Sequence, residues 1–236
     1  DLAIAGGADE LCEITYAGFN SLRAIDSEPT RPFRADRKGL LMGEGAGVLL
    51  LERRSHAEAR GATVLAELVS AGRSCDANHV SAPDPEGRGA ATAIRQALQE
   101  GGLVPADITF VNAHGTGTPH NDVSESKAMH AVFGERARSL PITSTKSMVG
   151  HLLGAAGGIE AVLTVLSIQH GLLPPTAGDA PADPELGLDV VVHEARTLPA
   201  TNVGLSTNLA FGGNNAVIVL RSPQAAPGPK QQAEPR

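Results

Sequence analysis

A glycine turn feeding an aliphatic run occurs twice in this chain, as Gly43-Glu-Gly-Ala-Gly47 into Val48-Leu-Leu-Leu51 and as Phe211-Gly-Gly-Asn-Asn215 into Ala216-Val-Ile-Val-Leu220. Short apolar runs bounded by glycine are expected to be buried strands. Strands also enter glycine turns at Gly6 and Gly115, so the echo points to a duplicated α/β unit. Helical spacing is expected over 9–24, 53–60, 87–101, 123–133 and 150–170, and strands over 63–71, 108–113, 188–192 and 203–208. That alternation selects the α/β class. The chain has 236 residues, with 27 glycines and only six aromatic residues, so its core must be small aliphatic side chains packed closely.

The same numbers exclude several functions. Few aromatics disfavour a stacking platform for single-stranded nucleic acid, and a net charge of −7 without a Lys/Arg run disfavours nucleic acid and anionic membranes. No run is long and apolar enough to span a bilayer, and the N-terminus lacks signal-peptide features. Cys12 and Cys75 are too few for a disulfide framework, so a reducing, cytoplasmic compartment is expected. The chain opens on Asp1 directly before a buried-looking strand, the pattern expected of a piece of something larger. Residues 222–236, rich in Pro, Gln and Ala, read as a disordered tail.

Four places carry chemistry. In Val111-Asn-Ala-His114-Gly-Thr116-Gly-Thr118 a strand delivers a histidine into a loop whose glycines bend sharply and whose hydroxyls suit a polar, uncharged ligand. In Ser144-Thr-Lys146-Ser-Met-Val-Gly150-His151 a lysine and a histidine precede or open an apolar helix, whose N-terminus would keep His151 neutral. The order of residues there does not match a phosphate loop. Glu125, on the helix after the His114 loop, pairs with Lys146 if the two loops meet, and is otherwise a solvated acid that complements the helix dipole. Ala210-Phe211-Gly212-Gly213 offers backbone N–H groups to an oxyanion, or is simply a strand-end hairpin. His114, His120 and Asp122 match no metal-ligand spacing, and no metal is expected.

Asn112-Ala-His114-Gly-Thr116-Gly-Thr118-Pro-x-x-Asp122 with Glu125, Ser144-Thr-Lys146-Ser-x-x-Gly150-His151-x-x-Gly154-Ala-Ala-Gly157, and Phe211-Gly-Gly-x-Asn215 stand in one order and spacing. In that combination the chain resembles the β-ketoacyl-[acyl carrier protein] synthases, closest to the elongating type II enzymes, from Asp1 to about Leu220. The resemblance implies a thiolase-like αβαβα layered fold, here incomplete: 1–61 ends the N-terminal half, 62–221 forms the C-terminal half, and 222–236 is the tail. It implies that His114 and His151 assist malonyl decarboxylation and stabilise the enolate, with Lys146 and Glu125 as the pair that orients them. Thr116 and Thr118 correspond to threonines that bind the pantetheine arm. Phe211 corresponds to the gating phenylalanine, which with Gly212 forms gate and oxyanion hole.

Further expectations follow from the resemblance. Substrates are malonyl and acyl thioesters on the phosphopantetheine of an acyl carrier protein, with no separate cofactor, and Arg23 is the candidate for docking that carrier. The assembly is a homodimer or a pair with a partner synthase subunit. The family's nucleophilic cysteine belongs to an earlier turn than any residue present; Cys12 and Cys75 are not expected to replace it, so the isolated chain should be inactive. Ala210 and Asn214 depart from the residues usual around the gate. The alternative is a non-catalytic partner subunit resembling a chain-length factor, against which the retention of both histidines argues.

Overall fold

In the computed structural model, residues 1–223 are described, so the tail expected over 222–236 lies outside them apart from Ser222 and Pro223. The two glycine turns become two antiparallel ribbons. Strand β1 (Leu2–Asp9) is followed by helix α1 (Glu13–Ser21), an irregular stretch, β2 (Gly45–Glu52) and α2 (Arg54–Ala59). β1 and β2 pair along their whole length, from Leu2 opposite Glu52 to Asp9 opposite Gly45. The second part runs β3 (Glu67–Cys75), α3 (Arg88–Gly101), β4 (Phe110–Asn112), α4 (Pro119–Phe133), β5 (Pro141–Thr143), α5 (Lys146–Val149) and α6 (Ala156–His170). After these come β6 (Leu172–Leu173), β7 (Asp189–Val190), β8 (Arg196–Thr197), β9 (Val203–Ala210) and β10 (Asn214–Arg221).

β9 and β10 form the second ribbon inside a six-stranded sheet of order β3-β10-β9-β4-β5-β7. The β3, β10 and β9 neighbours are antiparallel, whereas β4 runs parallel to β9 and β5, and β5 to β7. α3 packs on β3 and β10 and against α4, while α6 packs on β9 and β10 and also on β1 and β2. The layers are therefore helices, six-stranded sheet, α6, and the β1–β2 ribbon. This is the layering of the thiolase-like α/β fold expected from the sequence.

Glycine makes these layers possible. A Cβ on Gly47 would lie 2.2 Å from the Ile159 nitrogen, and one on Gly7 2.2 Å from the Gly154 carbonyl oxygen, so the ribbon meets the α6 segment backbone to backbone. A Cβ on Gly72 would lie 2.0 Å from the Ala93 oxygen, so α3 sits on β3 in the same way. Between sheet and α3/α4 lies an aliphatic core including Ile94, Ile108, Val111, Leu140, Ile142, Leu205 and Val219.

Some boundaries differ from expectation. The strand expected over 63–71 forms at Glu67–Cys75, where β10 supplies its hydrogen bonds. The helix expected from 150 begins at Ala156, because Gly150 (φ 77°) and Leu153 (φ 48°) turn left-handed and a 3-10 turn, Leu153–Ala155, intervenes. α1 is shorter than 9–24 and none of its residues is buried. Among the described residues no helix is long and apolar enough to cross a membrane.

Candidate active site

β4 ends at Asn112 in the middle of the sheet, and the next residues leave its C-terminal edge into the His114 loop. That loop is held by its main chain. Glu125, buried on α4, accepts the N–H of His114 on one carboxylate oxygen (2.9 Å) and the N–H of Gly115 on the other (2.8 Å). The Thr207 hydroxyl donates to the same carboxylate at 2.7 Å and also accepts from the His114 N–H. Asp122, fully buried, accepts the N–H groups of Phe33 and Gly117 (2.6 and 3.2 Å). Its burial pushes the carboxyl up to about 6.

Lys146 opens the short α5 and is 1% exposed. Its ammonium pairs with Glu160 on α6 and not with Glu125, the acid that the sequence offers if the two loops meet. The correction has a local cause: both Glu125 oxygens are occupied by loop donors, while the second Glu160 oxygen accepts only the Asn208 amide, at 3.0 Å. Burial raises the Glu160 carboxyl, and the Lys146 charge partly opposes the rise. Glu160, Thr207 and Asn208 were missed in the sequence. The available signal was Glu160 itself, a lone acid in the apolar run 155–168, since a buried acid demands a partner.

The Lys146 Nζ lies 3.2 Å from Nδ1 of His114. An ammonium has only protons to offer, so Nδ1 accepts and the imidazole proton resides on Nε2. His151 reaches the same state by another route: its Nδ1 accepts the Leu153 N–H at 3.1 Å, again leaving Nε2 as donor. The main chain of His151 is fastened to the segment before β2, donating to Leu41 O (2.8 Å) and accepting from Gly43 N (3.0 Å). The two rings stand edge to face, centroids 5.3 Å apart.

Both imidazoles are neutral. Burial first, then the charge of Lys146, hold His114 well below the usual histidine range. Burial, then Lys146, brings His151 to about 3. His151 precedes α6 by five residues, so burial and Lys146 replace the helix N-terminus as the reason for its neutrality.

The remaining sites are placed as follows. The Thr116 and Thr118 hydroxyls bond each other at 2.8 Å in the turn beyond His114. Phe211 closes the β9–β10 hairpin and is 47% exposed. Gly212 departs from expectation, since its N–H donates to Val80 O at 2.6 Å and is not free for an oxyanion. Arg23 is exposed just beyond α1, in a left-handed conformation (φ 54°). Cys12 is exposed with its Sγ 2.9 Å from the Thr15 hydroxyl, and Cys75 is exposed with its Sγ toward Gly212 O at 3.5 Å. His120 is exposed, and among the described residues no three His, Cys, Asp or Glu side chains are grouped to hold a metal.

Residues 1–57 match the family described as "Beta-ketoacyl synthase, N-terminal domain", and residues 65–178 match "Beta-ketoacyl synthase, C-terminal domain". The 3-oxoacyl-[acyl-carrier-protein] synthase 2 of Staphylococcus aureus is 44% identical over 227 residues, covering 94% of this chain and 56% of the relative. Its namesake from Synechocystis sp. is 45% identical over 228 residues, covering 94% and 55%. The chain thus spans about half the length of these relatives.

Among solved structures, a beta-ketoacyl synthase from Burkholderia phymatum aligns with a TM-score of 0.88 at 41% identity, covering 94% of this chain and 54% of that one. The ishigamide ketosynthase/chain length factor aligns at 0.89 and 41%, with the same coverage. A type II polyketide synthase acyl-carrier protein in complex with its ketosynthase bound to the hexaketide aligns at 0.91 and 34%, covering 94% and 56%.

Proposed function

Because the chain belongs to the beta-ketoacyl synthase family, we propose that its site carries the decarboxylative Claisen condensation of a malonyl thioester with an acyl group held on a cysteine. The observation that carries this reading is the pair of neutral imidazoles, each with Nδ1 occupied as an acceptor and Nε2 left as the donor. Two N–H donors in a partly water-excluded site suit a charge that develops on an oxygen.

Loss of CO2 from the malonyl group leaves its electron pair as an enolate, whose oxygen takes the Nε2–H groups of His114 and His151. The enolate carbon then attacks the acyl thioester carbonyl. The tetrahedral oxyanion is met by the Phe211 N–H, since the Gly212 N–H is taken by Val80. Collapse expels the cysteine thiolate and yields a β-ketoacyl thioester. Each step uses proton donors and a thiolate, and calls for no metal or redox cofactor. Lys146, fixed by Glu160, sets the His114 tautomer; Glu125 and Thr207 fix the ring's main chain.

The nucleophile in this reading is a cysteine beyond these residues, because Cys12 and Cys75 are exposed and engaged elsewhere. The chain alone is then expected to be inactive. Thr116 and Thr118 would bind the pantetheine arm, and Arg23 the acidic surface of an acyl carrier protein. A non-catalytic chain-length-factor role is the second reading, favoured by three solved relatives that include such a factor. The tuned histidine pair weighs against it.

The test is His151→Ala in the complete synthase. Malonyl decarboxylation should fall at least about a hundredfold, the usual scale for one oxyanion donor, while acyl loading onto the cysteine persists. Normal decarboxylation would refute the role.

A further inference from the structure

Among the described residues the phenylalanines make one ring-to-ring contact: Phe19 of α1 stacks on Phe211, centroids 5.3 Å apart and planes at 21°. The two ends of the Phe211 turn are held very differently. Its base is fixed, with the Gly212 N–H on Val80 O (2.6 Å), the Asp76 N–H on Gly213 O (2.8 Å), and Gly213 so close to Asp76 that a Cβ would lie 2.8 Å from the Asp76 Cβ. The Phe211 side chain, by contrast, is about half exposed. The helix it leans on buries none of its own residues, and the neighbouring Gly18 faces open space. The ring's one aromatic contact among the described residues is therefore Phe19, and the left-handed φ of Gly212 (78°) and Gly213 (75°) gives the turn a backbone that few other residues adopt.

We propose that Phe19 is the seat of the gating ring, a positioning residue that holds Phe211 in its stacked, closed orientation. The inference rests on the reading of Phe211 as the gate. A single offset-stacked pair is a weak latch, worth roughly two- to tenfold in population. A latch of that size keeps water from a bound acyl thioester between turnovers yet yields to an arriving substrate arm. In this reading Phe19 acts through Phe211.

The test uses the complete synthase with Phe19→Leu, which keeps the apolar volume without the ring, and Phe19→Tyr, which keeps the ring. Two readouts are followed: hydrogen exchange of residues 209–214, and the lifetime of the acyl-enzyme against hydrolysis. Phe19→Leu should speed exchange and shorten the lifetime, each roughly two- to tenfold, with β9 and β10 protection unchanged, and Phe19→Tyr should restore both. If Phe19→Leu matches the parent while Phe211→Ala shortens the lifetime, the gate stands and the seat is wrong. If Phe211→Ala leaves both lifetime and condensation unaltered, the gate reading itself falls. Loss of protection throughout β9 and β10 in Phe19→Leu would mark a general structural role and overturn the positioning one.

Discussion

Lys146 and Glu160 are buried together at 1% exposure each, and their environments make the two partners unequal. Removing the acid leaves an ammonium whose remaining hydrogen-bond partner among the described residues is an imidazole nitrogen. Removing the lysine leaves a carboxyl that burial already raises, and which can take up a proton instead of remaining charged. Glu160→Gln should therefore destabilise the protein by about 3–5 kcal/mol near neutral pH. Lys146→Met should show a penalty relative to the parent that shrinks as pH falls toward 5, because the folded state then binds a proton the unfolded chain gives up more readily. Urea midpoints for both variants at pH 5 and 8 check this; pH-independent penalties for Lys146→Met would defeat it. The same residues show what a sequence conveys. His114, Thr116 and Thr118 were legible because they are neighbours along the chain. The partner of Lys146 was not, since Glu125 and Glu160 are both plausible acids until Glu125 is seen to spend its oxygens on the N–H groups of His114 and Gly115 and the hydroxyl of Thr207.

Elements follow the same division between local and non-local causes. The β9–β10 hairpin was readable from Phe211-Gly-Gly, whose left-handed glycines force a reversal. The start of α6 was not: from Leu152 to Ile159 the run is apolar without a break, and the left-handed residues at 150 and 153 are imposed where His151 exchanges main-chain hydrogen bonds with Leu41 and Gly43. The position of β3 depends on β10, more than a hundred residues away. Glycine substitutions separate the two kinds of cause. Gly47→Ala puts a methyl 2.2 Å from the Ile159 nitrogen, so ribbon and helix must separate, at a loss of about 3 kcal/mol or more. Gly18→Ala, inside α1 with nothing within 4 Å, should gain about 0.5–1 kcal/mol from helix propensity. Thermal melting of the two variants should shift in opposite directions. A stabilised Gly47→Ala would mean that the close ribbon–helix approach is not what holds the layers together.

At the scale of the whole molecule, the site joins segments that are distant in sequence: 41–43 hold His151, the β4–α4 connection carries His114, and β9 supplies Thr207 and Asn208. Folding is therefore what keeps both histidines neutral, and stability must depend on pH accordingly. The folded pKa of each histidine is depressed below the unfolded value of about 6.5. Below that pH the unfolded chain takes up protons the folded one refuses, so their stabilisation is present above about 6.5 and lost as pH falls toward 3. Each contributes up to about 1.4 kcal/mol per pH unit in that window. Asp122 acts in the opposite sense, because its folded pKa of about 6 exceeds the unfolded value and acidification from 6 to 4 favours the folded state. The lowered carboxyls of Asp26, Asp84 and Asp183 are lost only below about pH 4, where unfolded carboxylates protonate. Between pH 6 and 4 the two histidines thus oppose Asp122 and the raised Glu160 carboxyl, and the parent protein should gain less, or lose more, stability on acidification than a variant without the histidines. The double variant His114→Gln, His151→Gln leaves the raised carboxyls of Asp122 and Glu160 in that window, so its urea midpoint should rise relative to the parent's as pH falls. Equal slopes for parent and double variant would show that the histidines titrate freely in the folded protein, and would remove the neutral imidazole pair on which the condensation mechanism depends.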